Sequence, residues 1–120
     1  MSTPLYKSAF DLGREISSGL RSSVETLEFF VDRLDKFNDE IKAIIAFDID
    51  RAMDQAFHAD KAASAGNIWG PLHGVPLTIK DAFSTEGLVT TGGVPDLVNH
   101  VPKTNAAAVE CYLNAGAVIF

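Results

Sequence analysis

Cysteine is nearly missing: Cys111 is the only one in 120 residues. No internal disulfide can form, and a reducing, cytoplasmic setting is expected. No run of 18 apolar residues occurs, so no membrane-spanning helix is expected. No basic stretch followed by a long apolar run lies near Met1, so no secretory signal is evident. Cations are in the minority, with 10 Lys and Arg against 16 Asp and Glu and a net charge of −6. They form no cluster, which argues against nucleic acid or an anionic membrane as a partner. No dinucleotide glycine fingerprint and no G-x-S-x-G elbow are present. No second glycine directly precedes Lys80 and Asp81 follows it, so a phosphate-binding P-loop is excluded as well. His58, His73 and His100 lack metal-ligand spacing, and no metal is expected. His58 reads as a helix-surface residue and His73 as a turn residue.

What is present suits one globular domain, at 47% hydrophobic and 22% charged residues. Residues 1–6 read as a loose start. Ser8 to Ser18 suits a helix with Phe10, Leu12 and Ile16 as its apolar stripe, weakened by Gly13 and stopped by Gly19. Ser22 and Glu25 have capping-box spacing. A second helix is expected to about Phe37, with Val24, Leu27, Val31 and Leu34 at helical intervals and Phe30 and Phe37 widening the stripe. Asn38-Asp39-Glu40 interrupt the pattern, and Ile41 to Phe47 reads as a short strand. Asp48 or Asp50 can cap an alanine-rich helix, Arg51 to Ala65, ended by Gly66. Trp69 reads as an anchor against the scaffold.

The chain is organised around Gly70-Pro71-Leu72-His73-Gly74-Val75-Pro76-Leu77-Thr78-Ile79-Lys80-Asp81. The first half is a turn and Val75 to Ile79 a buried strand. Lys80 closes that strand at its carboxyl end, where open α/β sheets place their sites. Two readings of Lys80 stand on the local pattern: a strand-end cation reaching solvent, or a buried, neutral amine able to act as a base. Ala82 to Pro102 follows as a long irregular stretch with Thr90-Thr91-Gly92-Gly93. Asp81 reads as a turn residue accepting backbone hydrogen bonds. Thr104 or Asn105 can cap a helix from Ala106 to Ala115, in which Cys111 reads as a buried structural thiol. Ala117 to Phe120 begins another buried strand. Helices first, then strand, loop, helix and strand, give an α/β fold.

Gly70–Asp81, then Gly87, Thr90-Thr91-Gly92-Gly93, Pro102 and Leu113-Asn114-Ala115-Gly116-Ala117-Val118-Ile119, in that order and spacing, resemble the N-terminal part of the amidase signature family. The resemblance implies α/β architecture: N-terminal helices to about residue 66, then the start, about 70–120, of a mixed-sheet α/β/α catalytic fold. The chain is expected to be the N-terminal fragment of one such domain. The family's catalytic lysine falls on Lys80. Its two serines, one in a cis peptide, belong to a Gly/Ser-rich region further along. In this family a serine commonly follows the Thr-x-Gly-Gly turn, and Val94 stands there.

The resemblance implies an amidase that hydrolyses a small carboxylic amide by a serine–cis-serine–lysine relay, without metal or organic cofactor. An assembly of identical copies is compatible with this reading. Two other readings stay open: the A subunit of a tRNA-dependent amidotransferase, and a non-catalytic interaction module using the stripe from Val24 to Leu34. Ala82-Phe83 after Lys-Asp, together with Val94, favours the stand-alone amidase.

Overall fold

The computed structural model describes residues 3–120. Met1 and Ser2 of the expected loose start lie outside them. Pro4–Tyr6 is not loose but forms one 3-10 turn capped by Thr3. The helices are α1 (Ala9–Ser17), α2 (Ser23–Ile41), α3 (Ile49–Ser64) and α4 (Ala107–Asn114). The strands are β1 (Pro76–Leu77) and β2 (Val118–Ile119), paired in parallel. The α/β class expected from the sequence is what the chain adopts.

Short polar side chains start three of the helices. Ser8 Oγ accepts from the Asp11 amide at 3.1 Å, Ser22 Oγ from Glu25 at 3.3 Å, and Asp48 Oδ1 from Arg51 at 3.0 Å. A longer-range device reinforces the second. The Asp60 carboxylate of α3 accepts from the Ser22 hydroxyl and the Ser23 amide, each at 2.6 Å, and from the Val24 amide at 3.1 Å. It satisfies donors that the first turn of α2 would otherwise leave open, at the positive end of the helix dipole.

α2 runs four residues beyond Phe37, through the polar triplet expected to stop it. Asn38 explains the difference. Its side chain donates to the Ile44 carbonyl at 2.7 Å and accepts from the Ile44 amide at 2.9 Å. It therefore folds the following segment back while its own backbone stays helical. Lys42 ends the helix at φ 53°, a left-handed conformation uncommon for a side-chain-bearing residue. The strand expected over Ile41–Phe47 does not form among the described residues. Beyond Lys42 the segment has no regular secondary structure, with Ile44 and Ala46 half-buried and Ile45 and Phe47 exposed, and no ladder partner lies beside it.

α2 packs on α3, and together they cover one side of the sheet. Leu27, Leu34, Ala52, Ala56, Val118 and Phe120 form the main core. Leu12, Ile16 and Val75 form a second, joined to the first through Phe30. Phe10 is not part of the α1 stripe; it is 60% exposed. Gly13 is buried because a Cβ there would collide with the Pro71 carbonyl, so the glycine admits a passing backbone. Ala56 is fully buried. Ala56→Leu is expected to overpack the α2–α3 contact and cost about 1–3 kcal/mol; thermal melting checks this, and an unchanged Tm would contradict it.

The strands are shorter than Val75–Ile79 and Ala117–Phe120 suggest. Pro76 pairs with Val118 and Leu77 with Ile119. The Val118 amide donates to the Val75 carbonyl at 2.9 Å and the Phe120 amide to Leu77 at 3.1 Å. In this register the ladder uses Val75 and Leu77, while the Pro76 nitrogen faces the other edge, where its missing N–H costs no bond to β2.

Candidate active site

The turn before β1 is built from buried polar contacts. His73 is a turn residue, as expected, and is fully buried. Its Nδ1 accepts from the Trp69 amide at 3.0 Å, which makes Nε2 the protonated nitrogen, donating to the Ala59 carbonyl at 3.0 Å. Trp69 stacks edge-on against that ring, at 5.0 Å between centroids. It is 39% exposed and anchors the turn by one face. The Ser23 hydroxyl donates to the Gly74 carbonyl at 2.5 Å and ties the turn to the start of α2. His73 and Ser23 thus fasten β1 to the helical layer before the chain reaches the lysine.

Past Leu77 the chain leaves the ladder. Thr78, Ile79, Lys80 and Asp81 line a cleft of about 500 Å³. Its other walls are the segment Lys42–Ala46, the loop residues Phe83, Thr85 and Leu88–Thr90, and Phe120. Lys80 is exposed. These residues do not wrap the lysine, contrary to the buried setting considered for a base. Among the described residues its ammonium takes part in no side-chain hydrogen bond or ion pair. The wall Lys42–Ala46 was not legible as part of a site; its short apolar run signalled only a strand.

No serine lines this cleft. Its hydroxyls belong to Thr78, Thr85 and Thr90, and two of them are spent on nearby carbonyls. Thr85 Oγ1 donates to Phe83 and Thr90 Oγ1 to Leu88, both at 3.2 Å. Among the described residues no three His, Cys, Asp or Glu side chains gather as a metal site would require.

Asp81 does what its turn reading implies and more. Oδ1 accepts from the Thr91 amide at 2.8 Å, Oδ2 accepts from the Thr91 hydroxyl, and the Asp81 carbonyl accepts from the Gly92 amide at 2.9 Å. The Thr91 hydroxyl, then the Thr91 amide, hold its carboxyl below the usual carboxylate range. The Thr90-Thr91-Gly92-Gly93 stretch is therefore bound to the residue that follows the lysine.

Two expectations about α4 are corrected. Neither Thr104 nor Asn105 caps it; the N-cap is Ala106, without a side-chain bond. Asn105 is engaged elsewhere, accepting from the Glu86 amide at 2.7 Å and donating to Glu110 at 2.8 Å. Cys111 is exposed, not buried, because the buried face of α4 is carried by Val109.

The fold and the cleft define an α/β protein whose lysine stands just past the carboxyl end of a parallel strand. Residues 25–120 match the model of the Amidase family. The A subunit of the glutamyl-tRNA(Gln) amidotransferase of Lachnospira eligens is 40% identical over 111 residues, covering 92% of this chain and 23% of the relative. The acylamidase of Rhodococcus erythropolis is 34% identical over 113 residues, covering 94% and 24%. Among solved structures, the native peptide amidase from Stenotrophomonas maltophilia superposes with a TM-score of 0.85 at 28% identity, over 99% of this chain and 25% of that one. The chain belongs to the amidase family. It spans about a quarter of the length of the relatives it matches. Among the described residues, no helix is long and apolar enough to cross a membrane.

Proposed function

We propose that this chain supplies the lysine-bearing part of an amidase that hydrolyses a small carboxylic amide to an acid and ammonia or an amine. One observation carries the reading: within the family match, Lys80 stands three residues past the end of a half-buried parallel strand and lines a cleft, its amine unpaired among the described residues. In this reading Lys80 is the proton acceptor of a serine–serine–lysine relay. It takes the proton of one serine, which in turn deprotonates the nucleophilic serine. The acyl-enzyme that forms is then opened by water. Both serines and the oxyanion donors belong to the three quarters of the relatives' length that these residues do not span. The 120 residues alone are accordingly expected to hydrolyse no amide, since acyl transfer needs a nucleophile and oxyanion donors around one reacting atom.

A second reading is carried by the 40% identity to the amidotransferase relative. In that case the same lysine would serve an enzyme that needs partner proteins and passes ammonia to a charged tRNA. Exchange of residues 1–120 for the corresponding segment of each relative separates the two. The expected result is that the Rhodococcus acylamidase chimera releases amine or ammonia from simple aliphatic and aromatic amides without added partners. An inert acylamidase chimera, beside an amidotransferase chimera that works with its partners, would reverse the assignment.

A further inference from the structure

We infer that Asp81 is the positioning residue of this site: its side chain pins the Thr91–Gly93 turn to the end of β1 and thereby fixes where Lys80 stands. The inference rests on the reading of Lys80 as the base. The sheet cannot place the lysine by itself. The last ladder pair is Leu77 with Ile119, and Thr78, Ile79 and Lys80 have no strand beside them. On the far side of Lys80 the backbone is held by the loop. The Lys80 carbonyl accepts from the Phe83 amide, and the Asp81 carbonyl from the Gly92 amide, each at 2.9 Å.

The side chain of Asp81 closes this arrangement. Thr91 offers two donors, its amide and its hydroxyl, and the carboxylate offers one oxygen to each. The Thr91 hydroxyl oxygen accepts in turn from the Gly93 amide at 3.1 Å. Apolar packing does not hold the turn. Gly92 and Gly93 are exposed, and a Cβ at either would meet nothing within 4 Å. Hydrogen bonds are what keep the turn against the strand end, and most of them converge on one residue. A carboxylate suits the task better than an amide, because both its oxygens accept.

The test uses the acylamidase chimera carrying residues 1–120, with kcat and KM measured separately. Asp81→Ala is expected to lower kcat about tenfold to a hundredfold while KM stays within about twofold, the scale for misplacing a reacting group by about an ångström. Thr91→Val is expected to lower kcat in the same sense, and Thr91→Ser, which keeps the hydroxyl, to restore it. A folded Asp81→Ala chimera with kcat within about twofold of the parent would overturn the inference. So would equal losses in Thr91→Val and Thr91→Ser. Lys80→Ala in the same chimera separates the two ideas. If it stays active, the reading of the lysine fails; if it is dead while Asp81→Ala keeps kcat within about twofold of the parent, only the positioning role fails.

Discussion

Lys80→Ala, made in the acylamidase chimera, is expected to lower kcat at least about a hundredfold, the usual scale for removing a positioned proton-transfer group. Folding should change little. Lys80 is exposed, lies beyond the ladder and makes no side-chain hydrogen bond or ion pair among the described residues, so its removal leaves no buried partner unsatisfied. The melting temperature is therefore expected to move by less than about 2 °C, as for a surface substitution away from caps and networks. Lys80→Arg sharpens the test. Arginine keeps the positive charge and most of the reach, but its guanidinium does not give up a proton under ordinary conditions. A base is lost in both variants, whereas a merely electrostatic cation would survive in the arginine one. Near-parental turnover in Lys80→Ala would remove the catalytic assignment, and full rescue by arginine would replace a proton acceptor with a fixed charge. Single-turnover measurement of acyl-enzyme formation places the loss on the chemical step.

Helix starts were legible because they depend on neighbours in sequence. Ser8, Ser22 and Asp48 cap helices at the positions their spacing implies. The α2 stripe was legible for the same reason, since Leu27 and Leu34 recur at helical intervals and both reach the core. The motif ending in Lys80 was legible as wording, and the structure puts that lysine in a cleft. What failed depends on distant partners. Ile41–Phe47 has strand composition, but a strand exists only when another lies beside it, and none of the described residues supplies one. Asn105 has a capping residue's chemistry, yet Glu86 and Glu110 claim its side chain across the loop. Cys111 sits among alanines in sequence, but burial on a helix is decided by which face turns inward, and Val109 carries that face. The reach of Asp60 from α3 to the first turn of α2 had no local signature. Asp81 lies between these cases: its turn role was readable, its hold on Thr91 across ten residues was not.

Gly74→Ala is expected to be among the most destabilising single-methyl additions in the chain, at about 2–5 kcal/mol, the sum of a backbone cost and an overpacking cost. Gly74 has φ 69°, a left-handed conformation in which a Cβ costs about 1–2 kcal/mol. The added methyl would also stand 2.9 Å from Ile16 Cγ2 and from Ser23 Cβ and Oγ. Neither neighbour can yield freely. Ile16 is 1% exposed, in the core of α1. Ser23 is fully buried, and its hydroxyl is committed to the Gly74 carbonyl. Movement that relieves the clash therefore stretches the hydrogen bond that fastens the turn to α2. Folded domains have roughly 5–15 kcal/mol of stability in all, so a change of this size removes a large share. Gly92→Ala is the control. Its φ of 57° carries the same backbone cost, but nothing lies within 4 Å of the new methyl. It should lose only about 1–2 kcal/mol. Denaturant unfolding of the three proteins measures both effects, and equal losses for Gly74→Ala and Gly92→Ala would show that the contact with Ile16 and Ser23 gives way. The same contact sets the angle at which the chain enters β1, six residues before Lys80. In the acylamidase chimera Gly74→Ala should accordingly depress turnover as well as stability, whereas a fully active but less stable variant would mean that β1 finds its place from the β2 ladder alone.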